Sequence, residues 1–378
     1  MLLIECDGKA LFEASGIPVP EGVVVTGGER PPLPGEGPWL VKAQVPAGGR
    51  GKAGGVVFCA TPQDVDRALT HLIGRALLGH VVQACLVEQA ARGREAYLSL
   101  MVDPAEGAAR LSFSDQGGVD VEAAAREGGA LLTEVCAAER EAVGDAIERL
   151  AARLGAQSAA GLRAVAPALA DLFFSRELLL AEINPLFLAD GRPCAGDAKV
   201  VVDANAIGRQ PEIRRLVEAR PAVYPDMWRK LNEGFDFIDL DPEGTIGLVT
   251  TGAGLSMMLI DELTARGGRP LNFCDLRTGQ MRGRPDRLIR VLDWLAAKPG
   301  LKVLFVNIFA GITDLSEFAR LLTQALAQFP RPDIPVVARL VGSGETAARA
   351  HLAAVRPDLA AYADLDQALA HVIAVSRR

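Results

Sequence analysis

The chain has 378 residues, too many for one ordinary hydrophobic core, so two or three domains are expected. Apolar residues make up 49% and charged residues 23%, the balance of a soluble globular protein rather than a disordered or fibrous one. A net charge of −7 with no basic run argues against nucleic acid as a partner. No secretory leader and no apolar run near ~20 residues can be read, so no membrane span is expected. The six scattered cysteines form no C-x-x-C and read as buried free thiols of a cytoplasmic protein.

Residues 5–15 predict a short helix, closed by Gly16 and by prolines at 18 and 20. Residues 27–38 are rich in proline and glycine and read as a loop. A strand-like run from Trp39 then carries Lys42 and stops at Pro46. After it come Gly48, Gly49, Arg50, Gly51, Lys52, Gly54 and Gly55. Glycine permits φ > 0 and close approach of backbone to a ligand, and successive N–H groups in such turns form anion-binding nests. Arg50 and Lys52 make phosphate the natural guest. This is no Walker A loop: Pro46 stands where its first glycine would be, and Ala53 follows Lys52.

Thr61-Pro62-Gln63-Asp64 predicts the start of a helix running to about Leu78. Strands are expected over 81–88, 94–103 and 109–114. Glu88 closes the first of these, a position that suits either a solvated strand end or a polar ligand edge. Residues 134–154 and 161–176 are Ala-rich with helical apolar spacing.

Residues 178–202 predict a hairpin, with the turn at Asp190-Gly191. That turn sets Asn184 opposite Asp197 and Glu182 opposite Lys199, and period-2 alternation puts all four on one face. Hard oxygen ligands from Asn184 and Asp197 suit Mg²⁺, which takes one or two protein oxygens and completes its shell with water and phosphate. A structural Glu–Lys pair with an Asn hydrogen bond is the competing reading, and Pro185 and Pro193 weigh on the register.

Residues 205–243 read as polar and irregular, with a domain boundary near 232–244. Beyond it strand, glycine turn and helix alternate, which predicts a doubly wound parallel sheet. Its turns at Gly252, Gly311 and Gly342–Gly344 fall at strand C-terminal ends, each opening a helix whose N-terminus favours an anion.

These stretches together resemble the β subunit of succinyl-CoA synthetase, the ATP-grasp half of the nucleotide-dependent acyl-CoA ligases. The resemblance runs over nearly the whole length, in the same order. It is carried by KAQVPAGGRGKAGG (42–55), LVEQA (86–90), REAYL (94–98), GGVDVE (117–122), AEINPL (181–186), GDAKV (196–200), NAIGRQPEI (205–213), TGAGLSM (251–257) and VNIFAGI (306–312). It implies an α/β fold: an ATP-grasp region over 1–235, with a smaller subdomain about 20–105, then a flavodoxin-like CoA-ligase domain over 245–378. It implies that Lys42, Gly49, Arg50 and Gly51 touch the phosphates of ATP or GTP, with Glu88 and Glu95 at the base and ribose end. Asn184 and Asp197 would hold Mg²⁺. Glu182 would approach a phosphohistidine carried by a partner α subunit, which also binds most of the CoA. Gly311 would begin a helix facing the phosphate, and Thr251, Ala310, Gly311 and Ile312 would meet the carboxylic-acid substrate. An αβ or α2β2 heteromer follows.

The chain departs from the family pattern in the acid-facing domain. Thr251 replaces an asparagine, Leu276-Arg277-Thr278-Gly279 replaces a run of glycines, and Ala310 replaces a glycine. In the phosphate loop Pro46 replaces a histidine. The expectation is retained ATP use with an acid not restricted to succinate: another dicarboxylate or a sulfinate, with Arg277 reading its second anionic group. A stand-alone carboxylate–amine ligase and a catalytically silent paralogue are the competing readings.

Overall fold

The structure, a computed structural model, describes all residues except 29, 119–130, 190, 191, 282 and 312. It contains two compact units, Met1–Val223 and Tyr224–Arg378.

In the first unit α1 (Glu5–Ala14) is anchored by the chain start. Leu3 N–H donates to Val200 O at 2.9 Å, and the terminal ammonium donates to Val202 O at 2.6 Å. β1 (Gly22–Thr26), β2 (Trp39–Ala43) and β3 (Val56–Cys59) follow. Helix α2 (Pro62–Leu72) has a reciprocal cap: Asp64 N–H donates to Thr61 Oγ1, and Thr61 N–H donates to Asp64 Oδ2. It ends at Leu72, short of the expected Leu78, because Ile73 is extended and Gly74 turns at φ +83°. A small hairpin of β4 (Ala76–Leu77) and β5 (His80–Val81) occupies the difference. β6 (Ala84–Gln89) then enters between β1 and β2, giving an antiparallel sheet in the order β1-β6-β2-β3. Val65, Leu69 and Leu72 of α2 share a core with Val41, Cys59 and Val87 of this sheet.

A second antiparallel sheet is built from β7 (Arg94–Asp103), β8 (Ala108–Ser114), β9 (Leu132–Cys136), β10 (Leu178–Ala189), β11 (Arg192–Ala195) and β12 (Lys199–Val202). α3 (Arg140–Ala151) and α4 (Ala156–Ser175) connect β9 to β10. β9 lies where a helix was expected from residue 134. It is a half-buried edge strand, and pairing to β8 (Leu111 opposite Glu134) outweighs the helical spacing that follows it. α5 (Pro211–Ala219) closes the unit.

The second unit opens with α6 (Pro225–Glu233) and β13 (Asp236–Asp239). Residues 205–243 are therefore not irregular. Pro211 and Pro225 occupy the first turns of α5 and α6, where the missing N–H has no helical partner to lose. The break between the units falls at 223/224, ahead of 232–244, because β13 pairs with β15 (Asn272–Asp275) farther along. β14 (Ile246–Thr250), β16 (Val303–Ala310), β17 (Val336–Gly342) and β18 (Ala360–Tyr362) form a wholly parallel sheet. β15 lies beside β14: Leu271 N–H donates to Ile246 O and Leu276 N–H to Thr250 O, both at 2.8 Å. Between them the Asn272 amide stands in for a peptide, accepting from Leu248 N–H at 2.8 Å and donating to Leu248 O at 3.0 Å. The order β15-β14-β16-β17-β18 is the flavodoxin-like one. α7 (Ala253–Ala265) and α11 (Leu365–Ser376) cover one face; α8 (Asp286–Ala296), α9 (Leu315–Leu326) and α10 (Glu345–Val355) cover the other.

Candidate functional site

The first unit contains a cavity of about 730 Å³, within the usual size range of ligand clefts. The glycine loop after β2 forms one wall, and β10 with the 196–199 segment forms another. Gly49 turns at φ +77°, and a side chain added at Gly49 or Gly51 would meet no atom within 4 Å. The loop backbone is thus bare toward the cavity, as an anion cradle requires.

Lys42, Arg50 and Glu88 meet under this loop, all three at most 9% exposed. Lys42 Nζ lies 2.5 Å from Glu88 Oε1, 2.8 Å from Glu5 Oε1, and donates to Gly196 O at 2.6 Å. Arg50 Nη2 lies 2.8 Å from Glu5 Oε2 and 3.0 Å from Asp197 Oδ1, while Nη1 donates to Ala43 O at 3.1 Å. Lys9 completes the cluster, 3.0 Å from Glu5 Oε1 and 2.5 Å from Glu88 Oε2. Three carboxylates face three cations. Burial alone would raise the Glu5 pKa, but Lys42, Lys9 and Arg50 hold it well below the ordinary range. Burial alone would lower Lys42, but Glu5, Glu88 and Asp197 hold it above the ordinary lysine value. Asp197 is raised by burial and by the Glu5 carboxylate, against the pull of Arg50.

The hairpin has the expected register on both sides of the site: Glu182 stands opposite Lys199, and Leu186 opposite Ala195. Its turn lies outside the described residues. Between those pairs the ladder opens at residues 196–198, and the pairing of β10 with β7 shifts by one residue after Ile183. Such irregularities re-aim side chains beside sites. Asn184 and Asp197 flank this opening and both line the cavity with Lys42. Asn184 Oδ1 accepts from Gly118 N–H at 2.7 Å. Gly196 is required here, because a Cβ would sit 2.5 Å from the Phe187 ring and 2.9 Å from Pro185 O. Glu182 also lines the cavity; Tyr97 Oη and Lys199 Nζ each lie 3.4 Å from its Oε2.

The cavity therefore brings together Lys42, Gly49, Arg50, Gly51, Glu88, Glu182, Asn184 and Asp197. Glu88 is a buried ion-pair partner of Lys42, not a solvated strand end. Glu95 is not in the lining; its carboxylate packs against Gly118, where a Cβ would be 2.0 Å from Oε2. Glu5 and Lys9 were not read from the sequence, although an acid and a lysine one turn apart in an amphipathic first helix were the available signal.

Thr251, Ala310 and Gly311 sit at strand C-terminal ends in the second unit. Thr251 follows β14, and Asp275 Oδ1 accepts from the next N–H, that of Gly252, at 2.9 Å. Ala310 ends β16, opposite Gly342. Gly311 does not begin a helix: α9 starts at Leu315, and its cap is Asp314, whose Oδ1 accepts from Ser316 N–H at 2.8 Å. The short capping side chain three residues later outcompetes the glycine as the start signal. Ile312 lies outside the described residues. Arg277, left-handed at φ +49°, pairs with Asp236 of β13.

Residues 2–188 match the model of the ATP-grasp domain and residues 249–373 that of the CoA-ligase domain. Together with the parallel sheet and the loop-and-hairpin cavity, these define a nucleotide-dependent acyl-CoA ligase. The chain is 36% identical over 363 residues to the β subunit of ADP-forming succinate–CoA ligase from Chloroflexus aurantiacus, with 93% of each covered. It is 34% identical to the subunit of that name from Ignicoccus hospitalis, over 91% of this chain and 92% of that one. The chain belongs to the family of succinate–CoA ligase β subunits. Its fold is also similar to that of ATP citrate lyase from Methanothrix soehngenii in complex with citrate and coenzyme A, with a TM-score of 0.68, 16% identity and 99% of each chain covered. Among the described residues no helix is long and apolar enough to cross a membrane.

Proposed function

We propose that this chain binds Mg²⁺–ATP in the cavity of its first unit and passes the γ-phosphoryl to a histidine of a partner α subunit, within an ADP-forming acyl-CoA ligase. The observation that carries this reading is the convergence of a bare glycine loop, two buried cations and two hairpin oxygen donors on one cavity. The donor set fits magnesium bound with a nucleotide. Asn184 and Asp197 offer two hard oxygens, and no group of three or more His, Cys, Asp or Glu able to hold a metal is found among the described residues. Two protein oxygens suffice where phosphates and water supply the remainder. When bound, Mg²⁺ would supply positive charge that offsets the phosphate oxygens.

The residues of the chain supply positioning and charge. The N–H groups of the Gly49–Gly51 turn offer donors to phosphate oxygens, and Lys42 and Arg50 offset their charge. Glu182, held by Tyr97 and Lys199, presents a carboxylate on the cavity wall to the incoming imidazole and orients its N–H. Released product is ADP; the acid is activated in the second unit, where Thr251, Ala310 and Gly311 stand at the strand ends.

The chain carries four histidines. His351 bonds with Thr323 and His371 with Tyr362 in the second unit, His71 of α2 meets Arg75 just past the helix, and His80 is exposed on β5; none of the four lines the cavity. The transferred phosphoryl is accordingly assigned to the partner. Incubation with γ-labelled ATP, with and without the α subunit, tests this. Label on an α-subunit histidine only when both chains are present supports the reading, and no label on either chain with intact ATP overturns it. Turnover on dicarboxylates and sulfinates then tests the acid; strict preference for succinate ends the altered-acid reading drawn from Thr251, Arg277 and Ala310.

A further inference from the structure

We propose that Glu5, on the first helix, is a positioning residue for the phosphate-facing cations: one carboxylate aims both Lys42 and Arg50. This rests on the nucleotide reading of the cavity and adds to it an element that no sequence motif marks. The two oxygens divide the work: Oε1 accepts a hydrogen bond from Lys42, and Oε2 makes an ion pair with Arg50. Oε1 lies 2.8 Å from Lys42 Nζ, and Oε2 lies 2.8 Å from Arg50 Nη2. Glu5 is 1% exposed and lines the cavity floor.

Each cation has a second carboxylate, but among the described residues only Glu5 touches both. The remaining carboxylate on Arg50 is Asp197, which the nucleotide reading assigns to the metal. Glu88 is shared between Lys42 and Lys9. A lysine has a flexible four-carbon stem, and aiming it costs rotamer entropy unless a fixed partner holds it. Glu5 is such a partner because its helix is itself held. Gln44, the second residue after Lys42, accepts from Cys6 N–H at 2.8 Å in the first turn of α1 and donates to Lys42 O at 3.0 Å. On the same helix Gly8 allows close approach to the metal-side segment: a Cβ there would stand 3.1 Å from Ala198 Cβ. A glycine inside a helix is normally destabilising, and here it brings the Glu5–Lys9 face against the residue next to Asp197. Lys9, 3.0 Å from Glu5 and donating to Gly196 O at 2.9 Å, keeps the carboxylate ionised in its buried setting.

The test compares the full-length wild type with Glu5→Gln and Glu5→Asp, measuring Kd for Mg²⁺–ATP and for adenosine together with the thermal midpoint. Adenosine lacks phosphates, so a loss of general integrity weakens both ligands alike. The expected result is an Mg²⁺–ATP affinity lowered about tenfold or more in Glu5→Gln, with adenosine affinity within about twofold of wild type and Glu5→Asp between the two. Unchanged Mg²⁺–ATP affinity in Glu5→Gln, or equal losses for both ligands, overturns the proposal. So does failure of the variants to fold, which would assign the carboxylate to the scaffold. A wild-type chain that binds adenosine no worse than Mg²⁺–ATP would instead sink the nucleotide-phosphate reading of the cavity.

Discussion

Replacing Lys42 by Met keeps an unbranched side chain of similar length in β2 and removes the ammonium. Two carboxylate oxygens, Glu5 Oε1 and Glu88 Oε1, lie 2.8 and 2.5 Å from that nitrogen; without it Lys9 is the cation the two carboxylates share, and Arg50 remains on Glu5 alone of the two. A cluster of three acids and three bases becomes one negative charge in excess, and every member but Asp197 is nearly out of reach of water. Breaking a buried ion pair on one side costs about 3–5 kcal/mol. For a unit of this size each kcal/mol moves the midpoint by about 2–4 °C, so the first unit should melt about 6–20 °C lower at neutral pH. Scanning calorimetry reads this, with far-UV circular dichroism as a second probe. The double variant Lys42→Met/Glu88→Gln restores neutrality and should recover part of the loss. A midpoint within about 2 °C of wild type, or a double variant less stable than the sum of the singles, would refute the idea that these charges depend on one another.

Other consequences are equally concrete. Asp197→Asn should weaken Mg²⁺–ATP binding by about tenfold or more while changing metal-free ATP binding little, read by titration calorimetry with and without chelator. Gly196→Ala should destabilise the first unit by about 1–3 kcal/mol in chemical denaturation, because the new methyl meets the Phe187 ring at 2.5 Å. In the second unit burial and the neighbouring Asp239 push Asp226 up to about 6, with Arg229 opposing. Its folded pKa exceeds the unfolded value, so the folded state binds more protons between about pH 4 and 6, and stability rises as pH falls through that window. Asp226→Asn should flatten that segment of the stability–pH curve, and an unchanged slope would count against it.

The parts of the site carried by local pattern were legible in the sequence. The glycine loop announces itself by composition, and the hairpin signal at Asp190-Gly191 predicts the register in which Glu182 stands opposite Lys199. What stayed hidden depends on long-range packing. Nothing local singles out Glu5 and Lys9 until α1 docks beside the 196–200 segment, and Glu88 looks like a strand end until Lys42 arrives from the neighbouring strand. The same limit explains the errors in the fold. Pro211 and Pro225 carry the signal of a breaker and of a first helical turn alike, and only the following residues distinguish the two. β9 shows its strand character only against β8. Asn272 reads as a strand residue, and its peptide-like bonding to Leu248 depends on an approach that no local pattern encodes. The start of α9 was placed at Gly311 by the turn glycine, whereas Asp314 provides the cap.

The most direct test is a crystal structure of the full-length chain with Mg²⁺ and a non-hydrolysable ATP analogue. The site described here requires the metal at about 2.1 Å from an oxygen of Asn184 and one of Asp197, the β- and γ-phosphates over the Gly49–Gly51 turn, and Lys42 Nζ within hydrogen-bonding reach, at about 3 Å, of a phosphate oxygen. A nucleotide seated away from that turn, or a metal bound without either hairpin oxygen, would contradict it.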